Sequence, residues 1–310
     1  MQDDEKKEKG YVSMMEKVAR MHATTAERER VKRAEEEAKR AEKEAKIIPL
    51  PIWPSHFRGV PNGVLRSALF GAIKRGPRSF QDNVIKSSLN GLIISHTGPQ
   101  LDQADLDVWE QCLHFASIQG VENRLEFTAY SFLKAIGRAT GGRNSEWLMS
   151  VFRRLAASVV QTQDEHSTYA GPLIHHLGRD EKTGRHIVQL NPNITRLYKP
   201  GWTQIDWDQR NKLRGHPLAQ WLHGFYSTHA EPYPMKVETL HKLSGSEAKK
   251  TFHFREELRD ALTKLNKEFG WSYEIDNADL LHLNRTPTLS QTRHLIRKAT
   301  KDKKPNKPKR

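Results

Sequence analysis

Apolar residues recur at helical spacing near the carboxyl end of the chain and predict two consecutive helices. Val237, Leu240 and Leu243 mark a short helix, which ends at Gly245 and Ser246. The apolar residues of a longer helix follow at the same period: Phe254, Leu258, Ala261, Leu262 and Leu265. Since successive helical residues are about 100° apart, a buried face centred on Leu258 leaves the opposite face to polar side chains.

That opposite face carries basic and hydrogen-bonding side chains. The residues expected on it or on its flanks are Lys249, Lys250, His253, Glu256, Arg259 and Lys264. After the helix, residues 271–275 and 281–283 alternate apolar and polar positions on either side of a turn at Asp276-Asn277. A helix followed by such a hairpin is typical of a winged-helix unit, whose third helix enters the major groove of DNA.

A less regular copy of this unit is predicted earlier in the chain. Its first helix begins at Asp102, its second begins at Thr128 and ends at Gly137, and its third follows Gly141-Gly142. The expected inward residues are Leu106, Trp109, Leu113 and Ala116 in the first helix, Phe132, Leu133 and Ile136 in the second, and Leu148, Phe152, Leu155 and Val159 in the third.

The third helix of this first copy also has a polar outward face. The residues expected there are Arg143, Glu146, Trp147, Ser150 and Arg154. Residues 173–177 and 186–190 are expected to form its hairpin, with a polar, partly basic tip at 179–184. For Trp147, packing inside the domain, packing on the hairpin, stacking in a protein interface and contact with a sugar are all open alternatives.

The candidate DNA-binding residues are the polar residues of the two third helices. They are Lys249, Lys250, His253, Glu256 and Arg259 in the second copy and Arg143, Ser150 and Arg154 in the first. Arg259 is suited to a bidentate pair with guanine, and Glu256 to accepting a hydrogen bond from cytosine. Lys249 and Lys250, at the start of their helix, are better placed to contact phosphates and fix register.

The alternative to DNA binding is that both copies are unrelated helical core segments whose polar faces are merely solvated. Two copies in the same order within one basic chain favour DNA binding. The formal net charge is +14 over 310 residues, which also favours a polyanionic partner.

The two ends of the chain have unusual charge patterns. Residues 297–310 carry half of the positive excess and lack apolar residues to pack, so we expect this tail to be disordered. Residues 25–46 place Glu four positions before Lys or Arg several times, which predicts a charged helix. That helix is either solvated on its own or part of a coiled coil with an alanine seam.

Prolines and turn formers divide the chain. Pro49, Pro51 and Pro54 end the charged helix, and turn-forming residues at 191–201 separate the two helical units. The predicted fold is α+β and mainly helical, with two winged-helix domains in tandem. The expected organisation is a charged N-terminal extension and linker at 1–54, a first domain at 55–204, a second at 205–285 and a basic tail at 286–310.

The sequence lacks the motifs of common catalytic and metal sites. The single cysteine, Cys112, allows no disulfide within the chain and no zinc finger, and it fits a reducing cytoplasm. His175 and His176 would point to opposite faces of a strand, and residues 137–142 lack the ending of a phosphate-binding loop. No run approaches the roughly 20 apolar residues that span a membrane. We therefore expect a soluble cytoplasmic protein without enzymatic activity, cofactor, metal or membrane contact.

Particular sequence blocks resemble a known family. They are Pro61–Phe70, the stretch Ile93–Gly98 leading to Asp107–Gln111, and above all His229–Leu240 followed by Ser244–Ser246. Together they resemble the TrfA family of plasmid replication initiators over about residues 53–283. The block Glu231-Pro-Tyr-Pro-Met-Lys-Val-Glu-Thr239 is the most specific, because such a string has no general structural reason to recur.

The resemblance implies a tandem winged-helix protein that binds direct repeats, called iterons, in double-stranded DNA at a plasmid origin. It further implies opening of the adjacent AT-rich DNA, recruitment of the host replication initiator and helicase, and a monomer–dimer equilibrium that bears on copy control. The first domain would carry the dimer contact and backbone contacts, and the second most base recognition. The alternative function is a winged-helix transcription regulator, which includes repression of its own gene.

Two departures from the family limit what the resemblance implies. One is the basic extension after Arg285, to which the resemblance assigns no role. The other is a missing binding motif. The family's motif for the replicase sliding clamp, Gln-Leu-Ser-Leu-Phe, falls on residues 44–48, which read Glu-Ala-Lys-Ile-Ile. The glutamine and the terminal phenylalanine are both missing. The resemblance therefore does not support clamp binding through this segment.

Overall fold

The structure, a computed structural model, describes residues 29, 30, 32, 50, 51, 53–86, 93–119, 124–163 and 168–302. The chain divides into two compact parts, Met1–Ile48 and Pro49–Arg310. In the first part, Glu29, Arg30 and Lys32 are helical, in line with the helix predicted over 25–46. The remainder of that helix and the segment at 44–48 lie outside the described residues.

The second part contains helices of very different lengths. They are α1 (Asn62–Leu65), α2 (Gln103–Gln119), α3 (Ala129–Ala135), α4 (Gly142–Ala156), α5 (Trp207–Lys212), α6 (Pro217–Ser227), α7 (Val237–Ser244), α8 (Thr251–Phe269) and α9 (Leu289–Asp302), with a 3-10 helix at Pro192–Tyr198. In the part of the chain that the structure describes, none of them is both long enough and apolar enough to cross a membrane.

Within the described ranges of residues, strands form five small sheets between these helices. They are β1 (Phe57–Pro61), β2 (Phe70–Gly71), β3 (Phe80–Lys86), β4 (Ile93–Pro99), β5 (Leu101–Asp102), β6 (Arg124–Phe127), β7 (Val159–Gln163), β8 (Thr168–Pro172), β9 (Ile174–Arg179), β10 (His186–Leu190), β11 (Trp202–Asp206), β12 (Met235–Lys236), β13 (Ser272–Ile275) and β14 (Leu280–Asn284). The sheet orders are β6-β10-β9, β12-β14-β13, β3-β4-β7-β8, β1-β11 and the parallel pair β2-β5. The fold thus mixes helices and strands, as the α+β prediction requires.

Two groups of elements follow the same order along the chain. The first repeat consists of α2, β6, α3, α4 and the hairpin β9–β10, and the second of α6, β12, α7, α8 and the hairpin β13–β14. In each repeat the single strand between helices pairs antiparallel with the second strand of the hairpin, β6 with β10 and β12 with β14. The chain therefore uses one arrangement of helix, strand, two helices and hairpin twice.

Local sequence signals set the ends of the helices in the first repeat. At the start of α2, the backbone N–H of Asp105 donates to Oδ1 of Asp102 at 2.8 Å, and that of Asp102 donates to Oδ2 of Asp105 at 3.0 Å. Thr128 and Ser131 form the equivalent capping box at α3, and Gly137 follows with a φ of 66°. The apolar positions predicted for α2 and α3 are buried.

The second repeat packs as its apolar pattern predicts. The three predicted residues of α7 and the five predicted residues of α8 are all buried, in a core that α6 and the hairpin β13–β14 also line. Gly245 ends α7 with a φ of 62°, the left-handed region that favours glycine. A separate core occupies the first repeat. These two cores agree with the predicted division near residue 205, which stays a prediction.

The structure contains a four-stranded sheet, β3-β4-β7-β8, that the sequence did not predict. Strands β7 and β8 lie between α4 and the hairpin β9–β10, and β7 pairs with β4 rather than with the hairpin. Val159, predicted as an inward residue of the third helix, begins β7 and is 40% exposed. The helical spacing of Val159 with Leu155 was misleading, because α4 ends at Ala156.

Two residues assigned to the linker before residue 55, Leu50 and Trp53, belong to the first core. Leu50 and Trp53 are both buried, and the indole N–H of Trp53 donates to Nδ1 of His114 in α2 at 2.9 Å. The described prolines Pro51 and Pro54 lie outside regular helices and strands, and the described apolar side chains beside them pack in the core. These two residues therefore contact the first core from the predicted linker, and the boundary near residue 55 stays a prediction.

The expected disorder of the C-terminal tail is wrong for residues 297–302, which complete α9. The backbone N–H of Gln291 donates to Oγ1 of Thr288 at 3.3 Å, and that of Thr288 donates to Oε1 of Gln291 at 3.0 Å. This capping box, Thr-Leu-Ser-Gln, was visible in the sequence. Residues 303–310 of the predicted tail lie outside the described residues.

A buried charge cluster connects the two repeats. Arg210 of α5 donates from Nε to Oδ1 of Asp107 at 2.6 Å and lies 3.3 Å from Oε2 of Glu110, both in α2. Nε2 of Gln220, in α6, donates to Oδ2 of Asp107 at 3.3 Å. Burial raises the pKa of Glu110 to about 7, although Arg210 opposes this shift.

Replacing Glu110 by glutamine should change how stability depends on pH. Because the pKa of Glu110 is raised on folding from its usual 4.5 to about 7, its contribution is complete below pH 4.5 and is lost as pH rises through 7. The free energy of unfolding of Glu110→Gln, relative to the wild type, should therefore increase between pH 5 and pH 8 in urea titrations. Glu126→Gln, at an exposed position of β6, is the control for removing a carboxylate from the same repeat. A pH-independent difference for both variants would contradict the raised pKa.

Candidate nucleic-acid interface

Helix α8 presents a continuous polar stripe to the outside of the second repeat. His253, Glu256 and Arg259 are all exposed, and they lie three residues apart, so they follow one side of the helix. Nδ1 of His253 is 3.7 Å from Oε2 of Glu256, with 59% and 57% of the two side chains exposed. Lys264, predicted on the same side, is half-buried in an ion pair with Glu268 at 2.9 Å.

The stripe begins before the helix itself. Lys249 and Lys250 are exposed, and Lys250 occupies the extended capping position before Thr251. No side chain caps the first turn of α8, and no acidic residue lies in it. The unpaired backbone N–H groups of that turn add to the positive potential of the two lysines. The structure thus brings together all five residues predicted for the second repeat.

The hairpin of the second repeat is held against α8 by an ion pair that the sequence analysis missed. Nη2 of Arg255 donates to Oδ1 of Asp279 at 2.8 Å, and Nε of the same side chain donates at 3.1 Å. Asp279 has a φ of 61° in the turn between β13 and β14. Arg255 lies at the edge of the buried face of α8, and a side chain at that position can reach a neighbouring element. This position in the helical pattern is the sequence signal from which the ion pair with the hairpin could be predicted.

Helix α4 presents a less complete polar face. Arg143 and Glu146 are exposed near its start, as predicted, and Arg153 is exposed near its end. Ser150 is only half-exposed, and its hydroxyl donates to the carbonyl of Trp147 at 2.6 Å.

The outward placement predicted for Arg154 is wrong. Its Nη2 donates to Oδ1 of Asp105 at 2.6 Å, and 19% of its side chain is exposed against none for Asp105. Burial raises the pKa of Asp105 to about 6, with Asp102 raising it further and Arg154 lowering it. Arg154 is therefore committed to neutralising a buried carboxylate that lies 49 residues away in sequence.

Trp147 packs inside the first repeat, which was one of the alternatives for it. Its ring is half-buried against the first core, and the guanidinium carbon of Arg138 lies 3.6 Å from its centroid. This distance is within the range of a cation–π interaction. Burial and the nearby Arg214 lower the pKa of Arg138 to about 10, so it stays charged at neutral pH.

The hairpin β9–β10 forms as predicted, and His186 of β10 pairs with Arg179 of β9. Its tip is exposed and includes Arg179, Lys182 and Arg185. The carboxylate of Asp180 accepts hydrogen bonds from the backbone N–H groups of Lys182 at 2.8 Å and Thr183 at 3.2 Å. These bonds hold the pKa of Asp180 below its usual range and fix the turn.

Comparisons with known proteins identify relatives of this chain. A family model described as "TrfA protein" matches residues 13–285. The Escherichia coli plasmid replication initiator protein TrfA is 30% identical over 243 residues, which cover 75% of this chain and 63% of that protein. This chain thus spans less than two thirds of the length of that relative.

Two solved structures of domains 2 and 3 of RctB also align with the chain. One has a TM-score of 0.48 at 13% identity and covers 73% of this chain and 98% of that one. The other has a TM-score of 0.46 at 12% identity, with 72% and 95% covered.

The neighbours Arg153 and Arg154 should respond very differently to substitution. Arg154→Met leaves the buried Asp105 without its cation and should lower the free energy of unfolding by about 3 kcal/mol at pH 8. Arg153→Met, at an exposed position, should change it by less than about 0.5 kcal/mol. Urea unfolding followed by circular dichroism measures both values. Equal losses would show that the ion pair between Arg154 and Asp105 has no special role.

Proposed function

Because this chain belongs to the TrfA family, we propose that it initiates plasmid replication by binding direct repeats in double-stranded DNA at the plasmid origin. The observation that carries the proposal is the exposed stripe of His253, Glu256 and Arg259 along α8, with Lys249 and Lys250 at its start. It offers hydrogen-bond donors, one acceptor and positive charge on a rigid helix, which is what contact with base edges and phosphates requires.

Each repeat of the fold is a winged-helix domain in this proposal. The order of helix, strand, two helices and hairpin, with the single strand paired to the hairpin, supports that assignment in both repeats. The third helices are then α4 and α8, and the wings are β9–β10 and β13–β14. The separate cores support two domains that meet near residue 205.

In the proposed complex, α8 lies in a major groove and contributes most of the base recognition. Arg259 pairs with guanine, Glu256 accepts from cytosine, and Lys249 and Lys250 contact phosphates. Helix α4 faces a neighbouring groove with Arg143 and the exposed Arg153, and it contributes mainly backbone contacts. Binding energy from several protomers offsets local unpairing of AT-rich DNA, and host initiator and helicase proteins join the opened origin.

Dimerisation through the first domain is part of the same proposal. Strand β3 lies at the edge of its sheet, and three of its apolar side chains are exposed: Phe80 at 72%, Ile85 at 69% and Val84 at 40%. An edge strand with exposed apolar residues is a surface on which another chain can pair. The monomer–dimer equilibrium of the family would use this edge.

The first test is a titration of the purified protein on the direct repeats nearest its own gene. The control is scrambled DNA of equal length, and both are measured at two salt concentrations. We expect a preference for the repeats that persists at the higher salt, since base contacts do not depend on counterion release as phosphate contacts do. Equal, salt-sensitive binding would contradict sequence-specific recognition. Deleting the gene from its plasmid separates the two candidate functions. A plasmid that still replicates without the gene would favour a transcription regulator.

Substituting Arg259 tests the assignment of base recognition to α8. Arg259→Ala should cost about 1–3 kcal/mol on the repeats and much less on scrambled DNA, because a bidentate guanine contact is specific. Lys267→Ala serves as a matched control, since it removes an exposed cation from the last turn of the same helix. A uniform loss on both DNAs would assign Arg259 to the backbone.

A further inference from the structure

A cavity of about 300 Å³ lies between the two repeats and is bordered by several cationic side chains. The cations that line it are Lys74, Arg75, Arg138 and Arg214. They come from three separate segments, the loop between β2 and β3, the turn after α3 and the turn after α5. We call this feature the arginine cleft.

Local contacts hold the guanidinium groups at the cleft. Arg138 stacks on the ring of Trp147 at 3.6 Å. Arg214 donates to the carbonyl oxygens of Ile136 and Gly137 at the end of α3. Both cations are thus positioned by the first repeat rather than free on long side chains, which lowers the entropy cost of binding an anion.

The acidic residues at the cleft are already paired with other cations. Asp102 accepts from Arg78, and Asp107 accepts from the buried Arg210 at 2.6 Å. Among the described residues, neither Arg75 nor Arg138 forms an ion pair with a carboxylate. The pKa of Arg138 is lowered first by burial and then by the charges of Arg214 and Arg75, so the cations repel one another. An anion between them would relieve that repulsion.

Two of the cations that line the cleft contact the third helices of the two repeats. On one side Arg138 contacts Trp147 of α4. On the other, Nζ of Lys74 contacts Oε1 of Glu257 in α8 at 2.8 Å. The cleft is thus connected by side-chain contacts to both helices that the proposed function places on DNA.

We propose that the arginine cleft binds phosphate groups of the DNA backbone where the duplex passes from α4 to α8. The proposal rests on the proposed function, since it assumes that both helices face one duplex. Guanidinium groups suit this task because their planar N–H groups match phosphate oxygens and keep their charge. The cleft adds affinity without reading sequence, as backbone contacts do.

The test is the salt dependence of binding for the double variant Arg75→Gln/Arg138→Gln. Losing two phosphate contacts should reduce the slope of log K against log salt by about two, equally on direct repeats and on scrambled DNA. The single variant Arg75→Gln, on an exposed loop, should reduce it by about one without affecting folding. Lys267 lies about 24 Å along α8 from Thr251, at the opposite end of the helix. The control variant Lys267→Gln should therefore leave the slope unchanged.

The outcomes separate this proposal from the proposed function. Suppose that the wild type prefers the repeats but the cleft variants have the same slope of log K against log salt as Lys267→Gln. The cleft proposal is then contradicted, and the proposed function stands. If the wild type shows no preference, origin recognition fails, while a reduced slope for the variants still supports the cleft. The cleft could instead bind free phosphate rather than the phosphates of DNA. Titration of the free protein with inorganic phosphate, against chloride at equal ionic strength, tests this alternative. Saturable phosphate binding that the double variant loses, with unchanged DNA slopes, would make the cleft a small-anion site and overturn the proposal.

Discussion

The relative placement of the two repeats depends on the buried guanidinium of Arg210. Its side chain is 1% exposed and contacts Asp107 and Glu110 of α2, while Gln220 of α6 shares Asp107 with it. Such a cluster adds little net stability over apolar packing, but breaking it leaves uncompensated charge in the interior. A displacement of one repeat along the other would separate these groups, so the cluster penalises alternative packings of the two cores more than it stabilises the observed one.

A fixed placement of the repeats has a consequence for DNA. Two elements that enter successive major grooves on one face of a duplex must be spaced by about one helical turn, 34–36 Å. The contacts of Arg210 join α2 of the first repeat to α6 of the second, through Asp107 and Gln220. If these contacts fix the two repeats, and α4 and α8 with them, the protein sets the spacing that a DNA repeat must match. Two cations of the arginine cleft contact these helices, Arg138 at Trp147 and Lys74 at Glu257, so a backbone that crosses from one groove to the next would meet their charge in the proposed complex.

The sequence predicted the second repeat better than the first, and the reason is the range of the deciding contacts. The buried face of α8 and the end of α7 at Gly245 follow from residues close in sequence, and the structure confirms both. The inward turn of Arg154 depends on Asp105 in another helix, and the sheet containing β7 depends on β4, about 65 residues earlier. Helical spacing cannot report such distant partners. The helix α9 could be predicted from its capping box, which is a local signal. The high charge of the tail led instead to the prediction of disorder.

The two third helices differ in how they use their polar residues. On α4, Ser150 and Arg154 bond within the protein, so its exposed cations lie near the two ends, at Arg143 and Arg153. On α8, residues 253, 256 and 259 remain exposed along one uninterrupted line. A recognition helix contacts base edges with residues towards its N-terminus, and residues 253, 256 and 259 lie in the first half of α8. In the proposed complex this suits α8 to contact with bases, whereas Ser150 and Arg154 of α4 are already bonded within the protein, Arg154 because the buried Asp105 needs a cation.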